Sequence, residues 1–185
     1  GKDVYRQDIT NPRASGAYNF DGDSCATILN NGSVNPTNSV TLEAWVNKTD
    51  KTSNTGYHHI ISRNSSSSFY YSMFTEVNTG YLSFQGTVSA SYKTVGVDVS
   101  NGSWNHCVVV YNKSNVLFYI NGALVSTQAM TDALTPNSVD LYIGARPNGV
   151  QLYPSQIALP RVYDYALTAE QVADNFNEKA STFGG

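Results

Sequence analysis

The chain has 185 residues, with 41% hydrophobic side chains, only 14% charged ones and a net charge of −3. One core is expected at this length. With 11 Lys and Arg in all, there is no positive excess for nucleic acid. No apolar run approaches the ~18 residues of a membrane span. The 13 Tyr, 7 Phe and 2 Trp argue against disorder. The chain opens on Gly1-Lys2-Asp3, with no Met and no signal-type apolar stretch, and reads as a mature product or an excised fragment.

In chain order the pattern is strand, turn, strand. Val40 to Val46 alternates strictly, with Val40, Leu42, Ala44 and Val46 on one face and Thr41, Glu43 and Trp45 on the other. Phe69 to Thr75 follows, then Tyr81 to Val88 after the turn signal Asn78-Thr79-Gly80, then Lys93 to Val99. Asn105 to Tyr111 and Val116 to Ile120 are near-continuous apolar runs, suited to central strands. Asn121-Gly122 supplies the paired positive φ of a type I′ hairpin into Ala123 to Thr127. Val139 to Ile143 and Ile157 to Tyr163 complete a set of about eleven strands, with no crossover helices between them. Thr168-Ala169-Glu170-Gln171 reads as a capping box, and Ala169, Val172, Ala173 and Phe176 continue at helical spacing. The expectation is an all-β, antiparallel two-sheet sandwich with one short C-terminal helix. Residues 1–17 read as an extension, 18–178 as the domain and 179–185 as a tail or linker stub.

Cys25 and Cys107 admit two readings. One bridge would close a loop of about 80 residues and stabilise by ~4 kcal/mol. Alternatively they are two separate buried thiols, which the apolar run from Cys107 to Tyr111 favours.

Several segments carry a resemblance. Tyr18-Asn19-Phe20-Asp21-Gly22-Asp23, Thr41-Leu42-Glu43-Ala44-Trp45-Val46, Gly102 to Tyr111, Phe118-Tyr119-Ile120-Asn121-Gly122, Leu141 to Gly144 and Ile157 to Leu167 stand in order. They resemble the motifs of laminin-G-like, concanavalin A-like lectin/glucanase jelly rolls from about Tyr18 to Phe176. The resemblance implies the jelly-roll sandwich. It does not choose among lectins, glycanases and protein-binding modules, which share the fold.

Two departures from that family bear on function. Its closing strand typically carries an Asp that holds structural calcium, where this chain has Ala158. Calcium needs oxygen ligands, so no cofactor is expected, with Asp21 and Asp23 the weak calcium candidates. Retaining glycanases of the fold pair carboxylates on one strand, about 5–5.5 Å apart. The four glutamates here, Glu43, Glu76, Glu170 and Glu178, include no such pair. The polysaccharide-lyase pattern is also missing, since Ala158 follows Gln156-Ile157. His58 and His59 point to opposite faces of one strand, and His106 stands two residues from Trp104, so the histidines read as structural.

The Tyr- and Asn-rich composition suits a glycan, whose C–H faces stack on rings and whose hydroxyls bond amides and carboxylates. Trp45, Tyr70, Tyr81 and Gln85 are expected on an outer sheet face with Glu43, where they make either a glycan-binding face or a second small core under a long loop, and Arg146 and Tyr153 are loop candidates. The leading reading is a non-catalytic, lectin-like module of an extracellular, cell-surface or virion-surface protein, with a glycan or polysaccharide ligand and no membrane insertion. The alternatives are a structural or protein-docking module of a larger assembly, and a glycan-cleaving enzyme with Glu43 and Glu76 brought together by the fold.

Overall fold

The computed structural model describes residues 17–20, 25–30, 32, 35–51, 56–64, 69–86, 92–146 and 151–184. In chain order the strands are β1 (Ala17–Asn19), β2 (Ala26–Ile28), β3 (Val40–Asn47), β4 (Tyr57–Ser62), β5 (Ser72–Glu76) and β6 (Tyr81–Gln85). They continue with β7 (Tyr92–Asp98), β8 (Trp104–Tyr111), β9 (Asn115–Ile120), β10 (Ala123–Ala129), β11 (Leu141–Ile143) and β12 (Gln156–Tyr163), before helix α1 (Ala169–Phe183). The first sheet has the order β1-β12-β3-β8-β9-β10 and the second β2-β11-β4-β5-β6-β7, every pairing antiparallel. This is the expected two-sheet sandwich.

The core lies between the sheets, as the alternation predicts. Val40, Leu42, Ala44 and Val46 point inward from β3 and meet Tyr71, Met73, Leu82 and Phe84 from the second sheet. Cys107 is buried among them, and Cys25 and Cys107 are both free thiols. The Asn121-Gly122 hairpin joins β9 to β10 with φ of 51° and 78°, a conformation that Asn and Gly tolerate best.

A bulge interrupts β12 between Ala158 and Arg161, where Leu159 takes φ 47°. Pro160 falls inside the bulge, where its lack of an N–H breaks no ladder bond. The irregularity re-aims the strand, and Arg161 becomes the cross-strand partner of Glu43.

Helix α1 begins with the predicted capping box: Thr168 Oγ1 accepts from Gln171 N and Gln171 Oε1 accepts from Thr168 N. It ends on Gly184 at φ 78°, a left-handed cap suited to glycine. The helix therefore runs further than the sequence suggests. Residues 179–183, expected as tail, are helical, and Phe183 is buried against the domain. Among the described residues no helix is long and apolar enough to cross a membrane.

Candidate functional site

A two-sheet sandwich has two outer faces, and here they differ. The outer face of the first sheet lies under α1. Val108, Val110, Tyr119 and Tyr163 pack there against Leu167 and Val172. Trp45, on the same face, is enclosed by the rings of Phe183, Phe176 and His106, with centroids 4.8, 5.6 and 5.1 Å away.

Glu43 lies beside them, 1% exposed and fully committed. Its Oε1 accepts from His106 Nε2 and Arg161 Nη1, both at 3.0 Å. Its Oε2 accepts from Tyr163 OH at 2.9 Å and from Asn175 Nδ2 of the helix at 3.0 Å. Burial alone would raise its pKa. The His106 hydrogen bond, the Arg161 and His106 charges and the Tyr163 hydrogen bond outweigh it and hold the carboxyl below its ordinary 4.5. A buried carboxylate with four donors is a structural clamp, since no lone pair is left over for a ligand.

These observations correct the expected binding face. Glu43 and Trp45 do lie on the non-core side of β3, but the helix covers that side, so neither meets solvent. The alternation located their face; the covering element lies more than a hundred residues on in sequence. Tyr70 is also displaced from the expectation. The strand starts at Ser72, and both Tyr70 and Tyr71 enter the core, with the Tyr70 hydroxyl donating to Pro36 O. Tyr153 likewise lies in the core. Glu43 and Glu76 stand on opposite outer faces, so the fold does not unite them as a catalytic pair.

The outer face of the second sheet carries no helix among the described residues, because α1 packs on the first sheet. Leu82 and Phe84 point into the core, so their neighbours Tyr81, Ser83 and Gln85 point out. Phe74 and Ser72 on β5 and His59 on β4 share this side through the strand register. The floor is buried: Ser72, Ser83, Phe74 and His59 are 0, 0, 2 and 3% exposed. Around it Tyr57, Glu76, Tyr81, Gln85, Arg146 and Gln151 are half-buried.

The side chains of this face are tied in short relays. The Phe74 ring meets Tyr57 edge-on at 5.0 Å and His59 at 5.2 Å. His59 Nδ1 lies 2.6 Å from Ser72 Oγ, and Nε2 lies 3.0 Å from Gln151 Oε1. Burial, reinforced by the Arg146 charge and only partly opposed by the Gln151 bond, pushes the His59 pKa down to about 3. The ring is neutral at pH 7; because Gln151 Oε1 only accepts, Nε2 carries the proton and Nδ1 is the acceptor beside Ser72 Oγ, whose hydroxyl also reaches Ile61 O. Arg146 reaches Gln151 Oε1 at 3.4 Å and lies over the Phe69 ring at 5.4 Å. On the other flank Thr94 Oγ1 donates to Glu76 Oε1 at 3.0 Å and bonds Ser83 Oγ at 2.8 Å. Asn64 Nδ2 donates to Gln85 Oε1 at 3.3 Å.

Tyr81, Gln85 and Arg146 therefore belong to one face with His59, Phe74 and Glu76. His59, read from sequence as structural, is the residue whose place there was missed. The signal was present in the opposite-face rule for His58 and His59, which puts one of the two on an outer face. Ser72 and His59 do not make a nucleophilic pair, because Ser72 is fully buried.

Asp21 and Asp23 lie outside the described residues. Among the described residues no group of three or more His, Cys, Asp or Glu could hold a metal ion. Ala158, at the position of the family carboxylate, packs against Trp45 and Phe183.

Two packed antiparallel sheets of six strands, an N-terminal Phe20 strand end and the closing β12 define a jelly-roll sandwich of the lectin type. The family model described as Concanavalin A-like lectin/glucanases superfamily, of laminin-G type, matches residues 20–173, and the chain belongs to that family. The chain resembles the botulinum neurotoxin serotype G binding domain at 15% identity and TM-score 0.67, over 89% of this chain and 42% of that one. It resembles the binding domain of Paraclostridial Mosquitocidal Protein 1 at 15% identity and TM-score 0.65, over 88% and 42%. A third similar structure is of botulinum neurotoxin type C, which depends on interaction with two ganglioside molecules to enter cells (18% identity, TM-score 0.52, 76% and 36%). The chain thus spans about two fifths of these structures, and at this identity the likeness is one of fold. A search of curated protein sequences returns no match.

Proposed function

We propose that this domain is a non-catalytic carbohydrate-recognition module of a larger surface-displayed protein, and that it binds glycan on the outer face of the second sheet. The carrying observation is the asymmetry of the two faces. One is sealed by α1, while the other keeps a buried aromatic and polar floor beneath a half-exposed rim of Tyr57, Glu76, Tyr81, Gln85 and Arg146. Rings offer stacking to sugar C–H faces, and amide, carboxylate and guanidinium groups offer the directional bonds that select hydroxyl patterns. The family includes lectins, and ganglioside dependence in one fold neighbour is in keeping with a glycan ligand. Display outside the cell or on a virion belongs to the same reading, with weak single-site affinity raised by multivalency. Catalysis is not proposed, because Glu43 is consumed by its clamp and does not meet Glu76.

The test is a glycan array with the domain displayed multivalently, comparing wild type with Tyr81→Ala and Gln85→Ala. Binding to a related set of glycans, weakened at least about tenfold in both variants while their melting temperatures hold, is the expected result. Binding that survives both substitutions moves the site elsewhere. A second reading, protein docking, is favoured by Leu124 and Val125 on edge strand β10, which are 51 and 39% exposed. It predicts no array signal and a concentration-dependent oligomer in light scattering.

A further inference from the structure

The inward alternation of β3 does not end with its apolar residues. After Val40, Leu42, Ala44 and Val46, the next inward position is Lys48, which is 0% exposed. A lysine between two sheets is unusual, because burying an ammonium is costly unless it is paired. The residues it faces are polar as well. His58 and Thr75 are cross-strand partners on β4 and β5, 2 and 0% exposed, and Thr75 points inward in phase with Met73. Tyr153, from the connection between β11 and β12, is 0% exposed, and its ring centroid lies 5.1 Å from Lys48 Nζ.

Four buried atoms here have no hydrogen-bond partner: Lys48 Nζ, His58 Nδ1, Thr75 Oγ1 and Tyr153 OH. Lys48 alone is donor-only, while the other three groups can donate or accept. The ammonium carries three N–H donors and no acceptor, both hydroxyls can donate, and the imidazole can place its proton on Nδ1. Asp50, exposed and two residues on, acts by charge on both Lys48 and His58. The backbone around the site is held: Gly102 N donates to Lys48 O, and Tyr153 N donates to Gly144 O, both at 2.8 Å. A buried ammonium with no hydrogen-bond partner matches an acceptor that carries negative charge, towards which the hydroxyls and the imidazole can turn their protons.

We propose that Lys48, His58, Thr75 and Tyr153 form an internal site for a small monovalent anion of the halide class, bound between the sheets and contributing to their cohesion. The site is independent of the glycan face, which lies on the other side of the second sheet.

Bromide is the probe. Melting temperature is measured at constant ionic strength while sodium bromide replaces sodium gluconate, for wild type and Lys48→Met. The expected result is a rise of about 3 °C in wild type at roughly tenfold excess over the dissociation constant, and no rise in Lys48→Met. Bromide-soaked crystals should show an anomalous peak within hydrogen-bonding distance of Lys48 Nζ. If Lys48→Met does not fold, Tyr153→Phe serves, with a reduced bromide response expected. A bromide response equal to that of gluconate, a response fully retained in the variant that folds, or soaked crystals with only water beside Nζ would each overturn the proposal.

Discussion

Glu43 is fully committed, and its four donors come from β8, β12 and α1. Glu43→Gln keeps the size but removes the charge that Arg161 and the short contacts depend on. It is expected to destabilise the fold by about 3 kcal/mol, the usual cost of breaking a buried pair from one side, as read by urea denaturation. Acid should have a related effect. Glu43 titrates below 4.5 in the fold, so its contribution is present above the unfolded value and is lost as pH falls through the folded one. His58 and His59 add an earlier loss. Burial and then like charge, from Lys48 and Arg146 respectively, lower their pKa values from 6.5 to about 4 and about 3. The unfolded chain therefore takes up protons first. Stability should be level between pH 6.5 and about 8, below which Lys48 is protonated in both states, and fall from pH 6.5 towards pH 4, by up to about 1.4 kcal/mol per pH unit for each histidine. Denaturation midpoints across pH 4 to 8 measure this, and His59→Asn should make the fall shallower.

At the scale of elements, α1 covers the outer face of the first sheet. Its last aromatic, Phe183, contacts both Trp45 and Trp104 at 4.8 Å. Phe183→Ala is expected to cost about 3 kcal/mol through the cavity it leaves. It should also shift tryptophan emission to the red, because both indoles would gain contact with water. An unchanged emission maximum would mean that the helix end is not what shields them. The capping box marks where this helix starts, and that signal is local enough to read directly. Its end was less legible, because Ser181 and Thr182 are weak helix formers, and the final turn is held by the packing of Phe183 together with the Gly184 cap. The β12 bulge is a further case: Leu159-Pro160 in sequence suggests a weakened strand, whereas in the fold it brings Arg161 opposite Glu43.

For the molecule as a whole, one core joins the two sheets, and Cys107 sits inside it with its thiol pushed up by burial. Cys25 is only half-buried. A thiol reagent should therefore modify Cys25 in the native protein, while Cys107 reacts only at the rate of global unfolding. Rapid modification of both would argue against a single cooperative core. The sequence by itself determined the class of fold, most strand positions, the inward set on β3 and the outward placement of Tyr81 and Gln85. Each of these rests on a period of two or on turn chemistry, which neighbouring residues carry among themselves. Only the tertiary structure decided that Glu43 and Trp45 are sealed, that Tyr70 enters the core and that His59 lines an outer face. It also brought Lys48 to His58, Thr75 and Tyr153. These outcomes depend on which distant segment packs on which face, and alternation within one strand distinguishes its two sides without saying what will cover either of them.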